Sequence, residues 1–122
     1  MKKVAFICVH NSCRSQIAEA LCKELRGDLL AYSAGTEIKG SINPDALRIM
    51  RDKYNIDMSE QYPKLLKDIP LCDIYISMGC NVGCPMIGRG FDDNFNIEDP
   101  SGKNDDAFIK AIEEIKEKIM NI

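Results

Sequence analysis

Residues 3–26 read KVAFICVHNSCRSQIAEALCKELR, and this stretch decides the fold. Its first six residues form a short apolar run that is typical of a buried strand. From Arg14 onward, apolar side chains recur at helical spacing, at Ile17, Leu21 and Leu25. A buried strand that passes through a short loop into an amphipathic helix is the opening unit of a parallel α/β domain.

The rest of the chain alternates between strand and helix patterns in the same way. Further strands are predicted over 29–34, 73–78 and 94–98, and helices over 44–54, near 63–68 and from 105 to the end. Asn43-Pro44 is a typical helix start, because Asn caps the N-terminus and Pro suits the first turn. The order β-α-β-α-α-β-β-α predicts a single three-layer α/β domain over 1–122, with a parallel sheet flanked by helices.

Composition excludes several classes of protein. The 122 residues are 45% hydrophobic and 29% charged, which is typical of a globular chain. The net charge of −3 gives no indication of nucleic-acid binding. The apolar stretch 4–9 is too short for a membrane span or a secretory signal. We therefore expect a soluble cytoplasmic monomer that binds neither nucleic acid nor membrane. In a reducing compartment the six cysteines are catalytic, metal-binding or buried rather than a disulfide framework.

The loop between the first strand and helix has the pattern of an oxyanion site. Its N–H groups and the positive helix end surround one point, where they would stabilise a Cys8 thiolate. Arg14 offers a two-pronged charged fork to a tetrahedral oxyanion. Asn11 tolerates left-handed backbone, and Ser15 is placed to donate its hydroxyl to the Cys8 sulfur. The residues expected to bind the anion or support the loop are Val9, His10, Asn11, Ser12, Cys13, Arg14 and Ser15. The alternative is a buried cysteine before an ordinary helix cap.

Residues 8–20, Cys-Val-His-Asn-Ser-Cys-Arg-Ser-Gln-Ile-Ala-Glu-Ala, resemble the signature of the low-molecular-weight protein tyrosine phosphatase fold. They are most similar to the thioredoxin-coupled arsenate reductases on that fold. Further matches follow in the family's order at Tyr32-Ser33-Ala34-Gly35, Asn43-Pro44-Asp45-Ala46 and Glu98-Asp99-Pro100-Ser101-Gly102. The resemblance implies a four-stranded parallel sheet in the order 2-1-3-4, in which the loops after strands 1 and 3 meet at the carboxyl edge.

The resemblance also implies a reaction, the reduction of arsenate to arsenite. Cys8 is then the nucleophile, and Arg14 carries the oxyanion charge. Cys80 and Cys84 pass the oxidation outward to thioredoxin as a Cys80–Cys84 disulfide. Asp99 is the expected general acid, with Asp92 and Asp93 as competing carboxylates. We expect residues 79–90 to rearrange on oxidation, because disulfide formation needs Cα atoms within about 7 Å.

Three other readings stay open at this point. The first is a low-molecular-weight phosphatase that hydrolyses phosphate monoesters through a Cys8 phospho-enzyme, although Ser101-Gly102 stands where such enzymes carry pocket-lining aromatics. The second is a zinc site on the paired cysteines, whose spacings fit structural zinc poorly. The third is a non-catalytic module that binds oxyanions or senses redox state.

The remaining candidate residues are not expected to take part in the reaction. Cys22 and Cys72 are predicted to be structural, Cys13 is not expected to be essential, and His10 is expected to be a loop side chain rather than a base. In some relatives a potassium ion is held beside the anion loop. Asn11, Glu19 and Ser33 match three of its ligands, whereas Lys64 falls at the acidic fourth position. No metal or other cofactor is therefore expected.

Overall fold

The structure, a computed structural model, describes residues 1–38, 40–79 and 90–122. In chain order these contain β1 (Lys2–Cys8), α1 (Arg14–Leu25), β2 (Leu29–Gly35), α2 (Pro44–Tyr54), β3 (Ile74–Ser77), β4 (Asp93–Asn94) and α3 (Asp105–Met120). A 3₁₀ turn at Leu66–Asp68 lies between α2 and β3.

The four strands form one parallel sheet in the order β2-β1-β3-β4. The central strand β1 is buried from Val4 onward, as its unbroken apolar run predicts. Cys8 is paired in register with Gly35 of β2, and Ile7 with Ser77 of β3. The α/β class and the strand order 2-1-3-4 are therefore confirmed, and the loops that follow β1, β2 and β3 leave the same edge of the sheet.

The hydrophobic core is divided by the sheet. On one face, Phe6 and Ile76 pack against all three helices through Ile17, Ile49 and Ile112. On the other face, Ala5, Ile7, Ala34 and Tyr75 are covered, within the described residues, by partly buried side chains from loops and the 3₁₀ turn: Leu66, Ile69, Cys72 and Phe91.

Two predicted elements differ from the structure. The expected helix near 63–68 is only the turn at Leu66–Asp68, because the chain before it is extended: Gly35 donates to Lys64 O (2.8 Å) and bridges to Leu65. The strand expected over 94–98 ends at Asn94, since Asn96 has a left-handed φ of 51° that no strand continues through. No helix in the described ranges is long and apolar enough to span a bilayer.

Candidate active site

Cys8 and Arg14 lie at the two ends of the loop that joins β1 to α1. Cys8 is the last residue of β1, and Arg14 is the first of α1. Arg14 Nη1 donates to Ile97 O at 2.8 Å and Met78 O at 3.2 Å, while its Nη2 lies 3.6 Å from Cys8 Sγ. The two carbonyl bonds fix the guanidinium, so its positive charge stands beside the sulfur.

Three backbone carbonyls of the loop accept hydrogen bonds from neighbouring segments. These are Val9 O from Thr36 N (2.9 Å) and Glu37 N (3.1 Å), Asn11 O from Gln16 Nε2 (3.0 Å), and Ser12 O from Asn43 N (2.8 Å). In a trans peptide the carbonyl and the following N–H point in opposite directions. The N–H groups of His10, Ser12 and Cys13 therefore point away from those segments.

These N–H groups and Arg14 lie where the sequence predicts the oxyanion site. None of the three donates to an acceptor among the described residues. Successive N–H groups of this kind, at the start of a helix and next to a fixed guanidinium, are suited to a tetrahedral oxyanion. We call the N–H groups of His10, Ser12 and Cys13, the Arg14 guanidinium and Cys8 Sγ the front face of the loop.

Asn11 gives the loop its curvature and ties it to the protein behind it. The residue is fully buried with a φ of 51°, which confirms the predicted left-handed conformation. Its Nδ2 donates to Ser15 Oγ (2.8 Å), and its Oδ1 accepts from Gln16 Nε2 (2.9 Å) and Lys64 N (3.0 Å). The expected bond from Ser15 to the Cys8 sulfur is absent from the described contacts. Ser15 Oγ accepts from the Asn11 amide instead, and this bond leaves the Ser15 O–H available as a donor.

The loop holds a second buried cysteine, Cys13. Its pKa is raised to about 12, first by burial and then by the negative charge of Asp99, while a hydrogen bond from Ser101 acts in the opposite direction. The thiol is therefore protonated at neutral pH, in line with the prediction that Cys13 is not essential. Because Asp99 and Ser101 both act on the Cys13 thiol, both lie next to the loop.

Asp99 is the expected acid that lies beside the loop. It is exposed, its Oδ1 accepts from Ser101 N (3.0 Å), and Asn43 Nδ2 donates to Ser101 Oγ (3.4 Å). All three carboxylates accept a backbone N–H, but the partners of Asp92 and Asp93 lie in the sheet, at Tyr75 N and Asn94 N, whereas Asp99 acts on the Cys13 thiol of the loop. This geometry favours Asp99 as the acid.

Behind the loop, the structure brings Lys64 to the residues that match the potassium ligands. Lys64 Nζ lies 3.3 Å from Glu19 Oε1, 3.2 Å from Tyr62 O and 3.5 Å from Ser33 Oγ. Ser33 Oγ donates to Glu19 Oε1 (2.6 Å), and Lys23 binds the other carboxylate oxygen. We call the side chains of Asn11, Gln16, Glu19, Ser33 and Lys64 the back network.

Met78 and Gly79, the last described residues before position 80, lie beside the Arg14 guanidinium. Met78 O accepts from Arg14, and Gly79 follows with a φ of 110°. A Cβ on Gly79 would lie 3.1 Å from Ile97 N, so both the backbone angle and the space favour glycine. The predicted relay residues Cys80 and Cys84, and most of the 79–90 segment expected to move, lie outside the described residues.

Sequence reasoning missed two polar contacts of the loop. His10 Nε2 lies 2.8 Å from Glu37 Oε1, and Gln61 Nε2 donates to Gln16 Oε1 (2.7 Å). Their partners are 27 and 45 residues apart, so no local pattern could reveal them. The two cysteines predicted to be structural fit that role: burial raises the pKa of Cys22, which is fully buried, and that of the partly buried Cys72 to about 11 each.

The chain was compared with protein families and with known proteins. The family described as low molecular weight phosphotyrosine protein phosphatase matches residues 3–81. The chain belongs to this family. The chain is 36% identical to arsenate reductase 1 of Staphylococcus epidermidis, over 97% of this chain and 92% of that protein. It is 33% identical to the glutaredoxin arsenate reductase of Synechocystis, over 100% of this chain and 96% of that protein.

Solved structures of the family agree with the fold. An arsenate reductase in its phosphate-binding state superposes with a TM-score of 0.87 at 34% identity, covering 99% of this chain and 95% of that one. A thioredoxin-dependent arsenate reductase of Corynebacterium glutamicum gives 0.73 at 34% identity, over 99% of this chain and 59% of that one. The low molecular weight phosphatase of T. tengcongensis gives 0.82 at 25% identity, covering 98% and 96%.

The described residues contain no cluster of side chains suited to a metal ion. Within 1–38, 40–79 and 90–122, no three His, Cys, Asp or Glu side chains converge as metal ligands do. The paired cysteines of the zinc reading include Cys80 and Cys84, which lie outside those ranges.

Proposed function

We propose that this family member reduces arsenate to arsenite. The observation that carries the proposal is the Cys8 sulfur, 3.6 Å from a guanidinium that two backbone carbonyls hold in place, on a loop whose N–H groups have no acceptor among the described residues. Arsenate is a tetrahedral oxyanion, so this front face would bind its oxygens. The arsenate reductases that match nearly the full chain support this choice of oxyanion.

The first chemical step uses described residues only. The Cys8 thiolate attacks arsenic and forms an S–As bond, while Arg14 and the loop N–H groups carry the oxyanion charge. Asp99 donates a proton to the leaving oxygen, which departs as water. The Cys13 thiol, protonated because of its burial, does not compete for arsenate.

The second part of the reaction is a thiol relay. The Cys80 thiolate attacks Cys8 Sγ, the electron pair of the S–As bond passes to arsenic, and As(V) leaves as As(III) in arsenite. Cys84 then attacks Cys80 in the new Cys8–Cys80 disulfide, which frees Cys8 and leaves a Cys80–Cys84 disulfide. The chain enters the segment that holds both cysteines directly after Met78, whose carbonyl Arg14 binds, and this placement supports the relay.

The second candidate is a phosphatase, which the family's description favours. That reaction needs Cys8, Arg14 and Asp99, and it has no use for Cys80 or Cys84. The two activities are therefore separable in one paired assay on the same variants.

The assay compares Cys80→Ser and Cys84→Ser with the wild-type protein. Each variant should lose multiple-turnover arsenate reduction with thioredoxin, and hydrolysis of an activated aryl phosphate should stay within about twofold. Cys22→Ser is the matched control, because it removes a buried cysteine outside the site. Wild-type arsenate reduction in both relay variants would reject the relay. Rapid phosphotyrosine hydrolysis without arsenate reduction would establish the phosphatase.

The reductant is proposed to be thioredoxin. Support comes from the thioredoxin-dependent enzyme of C. glutamicum, whereas the Synechocystis relative is a glutaredoxin arsenate reductase. A Cys80–Cys84 disulfide presents two exchangeable sulfurs to a dithiol, which is the chemistry of thioredoxin. Turnover should therefore continue with thioredoxin and thioredoxin reductase in the absence of glutathione.

We further propose a cytoplasmic monomer that needs no metal ion. A reducing compartment keeps Cys8 as a thiol. The Lys64 ammonium contacts Glu19 and Ser33, two of the three residues that match potassium ligands, and also Tyr62 O, and its charge would repel a potassium ion. Arsenate reduction should therefore proceed at equal rates in potassium chloride and in tetramethylammonium chloride of the same ionic strength. A potassium-dependent rate would contradict this.

A further inference from the structure

The segment directly after β2 supports one part of the anion loop. Thr36 N and Glu37 N both donate to Val9 O, and a Cβ on Gly35 would lie 2.6 Å from that oxygen. The next side chain of the loop is held by the same segment, because His10 Nε2 lies 2.8 Å from Glu37 Oε1. Glu37 thus contacts the loop twice, through its backbone N–H and through its carboxylate.

The two contacts of Glu37 are made with the two residues that share one peptide unit, Val9 and His10. The Val9–His10 peptide carries its carbonyl at one end, bound by Thr36 and Glu37, and the His10 N–H at the other. An ionised carboxylate only accepts hydrogen bonds, so the His10 Nε2 that faces it carries a proton. The peptide plane, and with it the direction of the His10 N–H, is therefore fixed at the Val9 carbonyl and at the His10 side chain.

We propose that Glu37 is a positioning residue for oxyanion binding, which acts through His10 and Val9 to keep the His10 N–H directed at the oxyanion. The proposal rests on the oxyanion site of the proposed function. The pair is largely exposed, with side-chain exposures of 37% for His10 and 66% for Glu37, and exposed pairs of this kind add little to folding stability. Its effect should therefore be measurable in binding rather than in the unfolding midpoint.

Because Glu37 is negatively charged, an electrostatic role and a positioning role predict changes of phosphate affinity in opposite directions. A carboxylate near an anion site repels the anion, so a purely electrostatic role predicts tighter phosphate binding in both Glu37→Ala and Glu37→Gln. Positioning predicts the opposite for Glu37→Ala, which loses the bond to His10. It predicts near-normal binding for Glu37→Gln, because the amide oxygen still accepts from His10 Nε2.

The experiment measures the dissociation constant of inorganic phosphate by calorimetry, and the KM and kcat for arsenate, at one pH and ionic strength. Glu37→Ala should raise the phosphate constant and the arsenate KM about five- to tenfold, with kcat within about twofold. Glu113→Ala is the matched control: it removes an exposed carboxylate that accepts a 2.7 Å bond from Tyr54, with the same change in net charge, and binding should not change.

Each outcome separates this inference from the function on which it rests. Wild-type protein that binds phosphate, with Glu37→Ala binding as tightly or more tightly, would overturn the positioning role alone. Equal weakening in Glu37→Gln and Glu37→Ala would also overturn it, because the hydrogen bond would then be irrelevant. Wild-type protein that binds no phosphate would overturn the oxyanion site and this inference together.

Discussion

The front face of the anion loop and the back network behind it are built in different ways. The front face consists of backbone N–H groups and two side chains, Cys8 and Arg14, within seven consecutive residues. The back network consists of the Asn11 side chain of the loop itself and of side chains from α1, from β2 and from the extended segment before the 3₁₀ turn, with Lys64 and Glu19 45 residues apart. The groups expected to react are therefore close together in sequence, whereas the side chains that hold the loop come largely from distant parts of the sequence.

The difference teaches which property each region controls. The front face leaves its N–H groups without acceptors among the described residues, which suits a ligand and adds nothing to folding. In the back network the buried Asn11, Gln16, Glu19 and Ser33 all have hydrogen-bond partners. No buried side-chain nitrogen or oxygen in the described residues lacks one. We expect front substitutions to change activity most and back substitutions to change stability most, as the following predictions test in order of effect.

The largest effect is expected for Arg14→Lys, at the front. Lysine keeps the positive charge but loses the two-pronged fork, and it cannot bind Met78 O, Ile97 O and the Cys8 sulfur together. The kcat/KM for arsenate should fall about 10²- to 10³-fold. Arg51→Lys is the control, because Arg51 is exposed and, in the part of the chain that the structure describes, bonds only the neighbouring Asp52. A loss under tenfold for Arg14→Lys would show that charge alone suffices.

The next effect is expected where the two regions join, at Asn11. Asn11→Ala removes the side-chain bonds to Ser15 Oγ, Gln16 Nε2 and Lys64 N, of which Gln16 Nε2 keeps other acceptors, and it forces alanine into left-handed backbone. The free energy of unfolding should fall by about 3–4 kcal/mol. Asn11→Gly should recover about 1 kcal/mol of this, because glycine adopts the positive φ without strain.

Asn55 provides the matched control for Asn11. It has nearly the same backbone angle, a φ of 55°, but it is exposed at the end of α2. Asn55→Ala should therefore lose only the backbone contribution, about 1 kcal/mol in urea unfolding. Equal losses at the two positions would show that the buried hydrogen bonds of Asn11 contribute nothing.

A smaller effect is expected in the back network, at Lys64. Its side chain is 11% exposed and that of Glu19 5%, so Lys64→Met leaves a buried carboxylate with one lysine instead of two. The free energy of unfolding should fall by about 1–2 kcal/mol. Lys23→Met removes the other partner, whose side chain is 54% exposed, and should cost under about 0.5 kcal/mol. Equal losses would mean that burial of the pair does not matter.

The same contrast explains what the sequence could predict. The strand-loop-helix unit, Asn11 in left-handed backbone and the start of α2 at Pro44 follow from residues a few positions apart, and the structure confirms them. The helix expected near 63–68 fails because Lys64 and Leu65 are held extended by Gly35, a contact that no local pattern contains. The Glu37–His10 bond is missed for the same reason.

The effect that is smallest at neutral pH concerns Cys13, a buried front-face residue, and it appears only at alkaline pH. Burial raises the pKa of this thiol from 9.0 to about 12 in the folded protein. Below pH 9 the thiol is protonated in both states, so its contribution to stability is complete. Above pH 9 the unfolded chain loses the proton while the folded chain keeps it, so stability falls until about pH 12. At pH 10 this loss is about 1 kcal/mol.

Cys13→Ala tests this through a slope rather than an absolute stability. The variant loses packing at every pH, but its free energy of unfolding should decline less steeply than that of the wild-type protein between pH 9 and 12. Cys22→Ala should give the same shallower decline only up to about pH 11, because the pKa of Cys22 is raised to about 11, again mainly by burial. Parallel curves for Cys13→Ala and wild type would show that the Cys13 thiol ionises as readily in the folded loop as in the unfolded chain. That result would also make Cys13 a competitor of Cys8 for the oxyanion.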